Sequence, residues 1–134
     1  MISTVTACFL ALGLTRPAAV SQARFKSALD DLEEHGHFLL IARKYPFPHE
    51  AWYQNSGYFC FYGYYYAAMV AELLPDAERA LASRQMASHL LPLQETDGSW
   101  WDYQLFGYHK TYGTAYVLMA LGRCRGGLDQ SAQD

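Results

Sequence analysis

The sequence predicts an all-α domain in which buried helices alternate with amphipathic helices. Two segments about fifty residues apart repeat one pattern, and each carries tyrosines at every fourth position, which is the spacing of one helix face. The stretches between these segments mix apolar and charged residues at helical spacing, as one-sided outer helices do. No segment keeps the alternation of a β-strand for long.

The repeat aligns residues 53–69 with residues 103–119 without a gap. It matches a glutamine and two glycines as well as tyrosines, so the tyrosine-rich composition alone does not explain it. Residues 11–13 also resemble residues 120–122, which makes 2–14 the expected end of an earlier copy. The identical pairs are Tyr53/Tyr103, Gln54/Gln104, Gly57/Gly107, Tyr58/Tyr108, Tyr62/Tyr112, Gly63/Gly113, Tyr66/Tyr116 and Met69/Met119.

About five helices follow from this repeat. Segments with few charges are expected to be inner, buried helices, and the charged segments outer ones. Inner helices are predicted over 2–14, 57–74 and 108–124, outer helices over 19–43 and 76–93, and a polar, frayed tail over 126–134. The two tyrosine stripes consist of Tyr58, Tyr62, Tyr66, Tyr108, Tyr112 and Tyr116.

Three local features support these helices. Gly63 and Gly113 occupy the same place in the two inner helices, where glycine costs about 0.5–1 kcal/mol relative to alanine, so close contact between helices is expected there. Asp76 follows Pro75 and is predicted to be the N-cap of the second outer helix. Gly36 is expected to kink or divide the first one.

Composition excludes several classes of protein. The chain has 134 residues, enough for one domain, and 51% of them are hydrophobic, which excludes intrinsic disorder. A net charge of -3 without a basic patch argues against a nucleic-acid partner. The three cysteines, Cys8, Cys60 and Cys124, have no zinc or disulfide spacing and are expected to be buried as small hydrophobic residues.

The apolar run over residues 5–14 is too short to span a bilayer. A signal peptide is an alternative there, although the basic residue follows the run and does not precede it. We prefer a helix, and with it a cytoplasmic protein without a transmembrane segment.

One motif connects the pattern to a known family. Leu90-x3-Gln94-x3-Gly98-x-Trp100 resembles the QW motif of the squalene–hopene cyclase and prenyltransferase repeat family. In that family the glutamine and tryptophan join an outer helix to the start of the next inner helix. The resemblance implies a partial α/α toroid of alternating inner and outer helices over residues 1–125. Since five helices do not close such a ring, we expect either a fragment of a larger toroid or self-association.

The catalytic signatures of that family are missing here. No DxDD acid motif occurs, and the positions that resemble the zinc ligands of protein prenyltransferases carry other residues. Asp102 and His109 are the remaining candidates for catalysis, as a polar cluster at the mouth of an inner helix. Asp30, Asp31 and Glu34 resemble a magnesium motif, although charges on an outer helix are more often solvated. We therefore predict no metal and no cofactor.

The tyrosine stripes allow two interpretations, packing between inner helices or the wall of an aromatic cavity. Three functions remain open. The first is a non-catalytic or divergent repeat domain that acts as a scaffold or binding surface. The second is the C-terminal part of an isoprenoid-processing enzyme, and the third is a toroid that binds or cleaves carbohydrate. The expected ligand is accordingly a hydrophobic isoprenoid or a glycan.

Overall fold

The computed structural model describes residues 20–37, 40, 43–44, 60–103 and 107–130, and these residues form helices and loops without a strand. The all-α prediction is confirmed. The predicted helix over 2–14 and the stripe residue Tyr58 lie outside the described residues. The helices are α1 (Gln22–His35), α2 (Cys60–Ala71), α3 (Asp76–Leu90) and α4 (His109–Gln130), and the 3-10 helix Leu91–Leu93 extends α3.

Helix α2 lies at the centre of the described structure. It packs against α1, α3 and α4, and α4 packs in turn against α3. Most of its side chains are buried, because it carries no charged residue that would require solvent on one side. This is the inner helix that the sequence predicts. The side chains of α1 and α3 are buried on one side only, as expected of outer helices.

Helix α4 differs from the prediction in two respects. It is not buried all round, since Leu118 is 56% exposed and Met119 is 44% exposed. It also continues to Gln130, so the tail predicted to begin at residue 126 is helical over 126–130. Two glycines explain the longer helix, because they allow its last turns to pack closely on α3. A Cβ atom on Gly126 would lie 2.7 Å from Arg79 Nη2, and one on Gly127 would lie 2.5 Å from Ser83 Oγ.

The start of α3 corrects a detail of the prediction, and the end of α1 agrees with the expectation for Gly36. Pro75 occupies the N-cap of α3, and Asp76 is its first helical residue, where a carboxylate lies favourably near the positive end of the helix dipole. Helix α1 ends at His35, and Gly36 caps it by donating its backbone N–H to the Leu32 carbonyl at 2.7 Å. The predicted helix over 19–43 is thus divided at the glycine.

Gly113 makes a close contact, but its partner is a loop and not another helix. A Cβ atom on this residue would lie 2.5 Å from the Trp100 carbonyl oxygen and 2.9 Å from Trp101 Cα. Backbone atoms cannot move aside cheaply, so the glycine lets the loop before α4 lie directly on that helix.

We expect Gly113→Ala to lower the free energy of unfolding by about 1–3 kcal/mol, because the added methyl group overpacks this contact. Gly122→Ala in the same helix is the matched control. No atom lies within 4 Å of its added Cβ, so improved helix propensity should raise stability by about 0.5–1 kcal/mol. Urea unfolding of both variants tests the argument, and it is wrong if they change stability in the same direction.

Candidate functional site

The segment between α3 and α4 is held by Trp100, which is 4% exposed. Its indole Nε1 donates a hydrogen bond of 2.8 Å to the Leu90 carbonyl at the end of α3. Its backbone N–H donates to Thr114 Oγ1 in α4 at 3.0 Å. The last carbonyls of a helix have no partner within the helix, so the indole supplies one. One tryptophan therefore joins an outer helix to the next inner helix.

The other two motif residues shape the loop itself. Gly98 has a φ of +82°, a left-handed conformation that favours glycine. The Gln94 side chain donates from Nε2 to the Gly98 carbonyl at 3.0 Å. The Gln94 side chain therefore closes the loop.

Asp102, the first candidate for catalysis, is fully buried at 0% exposure. Its Oδ2 accepts a hydrogen bond from the backbone N–H of Phe61 at 3.3 Å, in the first turn of α2. Its Oδ1 is buried and has no hydrogen-bond partner among the described residues. Burial disfavours the charged carboxylate and raises the pKa of Asp102 to about 6.

Two further groups lie around this carboxyl. The Cys60 thiol is completely buried, and burial, reinforced by the Asp102 charge, raises its pKa well above the usual range of a thiol. The Arg43 guanidinium lowers the pKa of Asp102 and so partly offsets the effect of burial on it. Its Nη2 lies 3.4 Å from Glu95 Oε1. A thiol with a raised pKa is a poor nucleophile, so this cluster favours a structural role.

His109, the second candidate, has different partners from Asp102. It is the first residue of α4, and its ring packs against Trp101 with the ring centroids 5.2 Å apart. The ammonium of Lys44 lies over the same indole, 4.5 Å from its centroid. The Asp102 side chain instead faces the start of α2. No described contact joins the two candidates into one catalytic pair.

The tyrosines of α2 and α4 form a continuous group of rings. Tyr116 is its hub, with ring centroids 4.7 Å from Tyr112, 5.3 Å from Tyr65 and 6.1 Å from Tyr62. Burial raises the pKa of Tyr116, and the neighbouring tyrosines add to the shift. We call this group the tyrosine cluster; its members are Tyr62, Tyr65, Tyr66, Tyr112 and Tyr116, all of them half-buried.

The structure thus brings together four of the six stripe residues. Tyr108 lies outside the cluster and is 52% exposed. Tyr65 is a member that the sequence reasoning missed, because the spacing of four selected Tyr62 and Tyr66 only. A spacing of three from Tyr62 reaches Tyr65, and helical faces use both intervals. Its neighbour Tyr64 is buried on another side of α2, near His89, with 6.2 Å between the ring centroids.

A surface depression of about 390 Å³ lies beside the tyrosine cluster, and Tyr65 belongs to both. Within it, Arg123 Nη1 donates a hydrogen bond of 2.5 Å to Glu72 Oε2. The Arg123 guanidinium also lies over the Tyr65 ring, 5.7 Å from its centroid. We call this feature the arginine depression; its lining residues are Tyr65, Glu72, Arg79, Met119, Gly122, Arg123 and Gly126.

The magnesium motif suggested by the sequence has no metal-site geometry in the described helices. Asp30 forms an ion pair with Lys26 one turn earlier, at 2.8 Å, while Asp31 and Glu34 are exposed. Among the described residues, no three His, Cys, Asp or Glu side chains lie close enough together to hold a metal ion. Cys60 and Cys124 are free and buried, as predicted.

None of the described helices combines the length and the apolar character needed to cross a bilayer. Comparisons of this chain with protein-family models, with curated proteins and with solved structures find no match.

Proposed function

We propose that this chain is a divergent, non-catalytic repeat domain of the squalene cyclase and prenyltransferase type, and that its tyrosine cluster binds a hydrophobic isoprenoid. The observation that carries the proposal is the cluster itself. Five half-buried rings from two inner helices touch in an unbroken series, which gives a broad aromatic surface.

The sequence and the Trp100 contacts support the family part of this proposal. The motif Gln94-x3-Gly98-x-Trp100 resembles that of the family, and Trp100 joins α3 to α4, as the family pattern requires.

The surroundings of the candidate acid support a non-catalytic role. A general acid must come within hydrogen-bond reach of the group it protonates. Asp102 is 0% exposed and is bound to the backbone of α2, so no ligand on the described surface can reach its carboxyl.

Ring geometry favours an isoprenoid over a glycan. A sugar stacks on a flat, exposed ring face, whereas the rings of the cluster meet at 49° to 73° and do not form one flat face. A surface of mixed edges and faces suits a branched aliphatic chain, whose binding depends on apolar area and not on ring-face hydrogen bonds.

We expect this protein to bind farnesol, and Tyr116→Leu to weaken that binding about tenfold, or about 1.4 kcal/mol. Leucine keeps an apolar side chain but removes the ring that three other tyrosines contact. Tyr108→Leu is the matched control, because Tyr108 lies directly before α4 and outside the cluster, and it should leave the affinity unchanged. Isothermal titration calorimetry gives both affinities, and circular dichroism verifies that each variant is folded.

The same titration with cello- and malto-oligosaccharides separates the alternatives. Binding of an oligosaccharide without binding of farnesol would favour the glycan function. Equal losses in the two leucine variants would show that the cluster is not the binding surface.

A further inference from the structure

We infer that the exposed side of α4 is a two-fold interface at which a second copy of this chain binds, with the two α4 helices antiparallel. The inference is independent of the proposed ligand, because none of the residues that carry it belongs to the tyrosine cluster. We call this side of the helix the α4 stripe; its members are Thr111, Ala115, Leu118, Met119, Gly122, Gly126 and Asp129, all of them exposed.

The α4 stripe lacks the charges that an exposed helix face normally carries. From residue 111 to residue 122 the chain has no charged side chain, and yet Leu118 and Met119 are 56% and 44% exposed. The exposed sides of α1 and α3 are different, since they carry Lys26, Asp30 and Arg84. A contiguous apolar patch of this kind is typical of a protein interaction surface.

The sequence repeat shows that the same face is covered in α2. The ungapped alignment pairs Phe61 with Thr111 and Ala68 with Leu118. Phe61 and Ala68 are 0% and 2% exposed and belong to the main core cluster. The positions that form a packing face in the first inner helix are thus exposed in the second, which suggests that another helix covers them.

The shape of the stripe is complementary to itself in one antiparallel register. In this register Leu118 lies opposite the partner's Met119, and Ala115 lies opposite the partner's Gly122, three residues away on each helix. Met119 and Gly122 line the arginine depression, and an added Cβ on Gly122 would meet no atom within 4 Å. Each copy therefore offers a projecting leucine and an open depression to the other. A contact in which the same patch is used twice closes a dimer.

The charges at the end of the stripe favour the same orientation. Asp129 lies in the last turn of α4, at the negative end of the helix dipole, where a carboxylate is unfavourable. Its contact with Arg125 is 3.6 Å long between side chains that are 67% and 82% exposed, so it contributes little. In the antiparallel register Asp129 lies beside the start of the partner's α4, which is the positive end of that dipole. A parallel pair would bring the two Asp129 carboxylates together.

The length of the stripe predicts a weak dimer. Residues 111–126 span about 24 Å of helix. A single pair of helices of this length buries less than the roughly 1,600 Å² of a standard interface, so we expect a Kd of about 10–100 µM. At a few micromolar the chain is then mostly monomeric, and unfolding of Gly122→Ala at that concentration reports on the monomer.

Sedimentation velocity over a range of concentrations on both sides of this Kd tests the interface. Leu118→Glu should raise the Kd about tenfold or more, because it places a carboxylate at the apolar centre of the contact. Leu81→Glu is the matched control. Leu81 is a leucine of α3 outside the stripe that is 49% exposed, and its replacement should leave the Kd unchanged. Circular dichroism verifies that both variants are folded.

Disulfide formation tests the register. In a Cys8→Ser background, an oxidised mixture of Ala115→Cys and Gly122→Cys should give a cross-linked dimer, and neither variant alone should do so. Cys60 and Cys124 are buried and do not interfere.

Four results would overturn the inference. They are a chain that stays monomeric over the whole range, which would leave the stripe to a different protein, a Kd that Leu118→Glu leaves unchanged or that Leu81→Glu raises equally, a mixture that forms no disulfide, and cross-linking by either cysteine variant alone.

Discussion

Trp100→Ala is expected to lower the free energy of unfolding by about 3–5 kcal/mol, the range for truncating a large buried aromatic residue. The indole is 4% exposed and belongs to the main core cluster, so its removal leaves a cavity between α3 and α4. It also leaves the Leu90 carbonyl without its indole donor at the end of a helix. The loss is a large fraction of the stability of an ordinary domain.

Urea unfolding followed by circular dichroism measures this loss. Since the alanine variant can fail to fold, Trp100→Phe provides a second measurement. It keeps most of the packing but removes the Nε1–Leu90 hydrogen bond, and it should cost about 1–3 kcal/mol. Trp101→Ala is the neighbouring control. Trp101 is only partly buried, beneath Lys44, and its removal should cost clearly less than that of Trp100. Equal losses at the two positions would contradict the assigned role.

Much of this architecture could be predicted because it depends on local rules. Helix α2 was predictable from a run without charges. The exposed side of α4 was not predictable in the same way, because Leu118 and Met119 have the composition of core residues. Whether an apolar side chain is buried depends on how many helices pack around it, and the local sequence pattern does not specify that number.

The site was predictable to a smaller degree. Spacing placed four stripe tyrosines correctly, but the cluster needs a fifth, Tyr65, and only the approach of α2 to α4 shows which tyrosines meet. The arginine depression had no sequence signal. Arg79 is one of several charges on an outer helix, and the depression forms only where it meets Gly122 and Gly126, which lie 43 and 47 residues further along the chain.

Asp102 shows how the same residue can look catalytic in the sequence and structural in the fold. An acidic residue beside aromatic residues and near a histidine is typical of an active-site mouth. Packing instead buries it completely, at the first turn of α2, where its Oδ2 accepts the Phe61 N–H. The carboxyl satisfies one of the helix donors that have no partner within the helix. Its raised pKa is a consequence of burial, and it makes the stability of the protein depend on pH.

Between pH 4 and pH 7, the free energy of unfolding of Asp102→Asn is expected to rise by about 3 kcal/mol relative to that of the natural protein. Folding raises the pKa of Asp102 from 3.8 to about 6, so in this window the folded state binds its proton more tightly than the unfolded state. Unfolding therefore releases a proton, and the natural protein loses stability as pH rises from about 4 to about 6. The change of about 3 kcal/mol is this rise in pKa multiplied by about 1.4 kcal/mol per pKa unit.

The variant removes this loss, because asparagine has the same shape and does not titrate. Any constant cost of burying its amide is the same at every pH, so the change in the difference between the two proteins isolates Asp102. Asp97→Asn is the control, and its stability difference from the natural protein should stay nearly constant between pH 4 and pH 7. Hydrogen bonds from Lys110 and Ser99 hold the pKa of Asp97 below its usual range, so the stability that Asp97 contributes is present at pH 7 and lost as pH falls below about 4.

Guanidinium or urea unfolding at pH 4, 5, 6 and 7 measures the stability of all three proteins. A difference between the natural protein and Asp102→Asn that stays constant over this range would mean that Asp102 titrates alike in the folded and unfolded chain, and the buried carboxyl would then have no part in the pH dependence of stability.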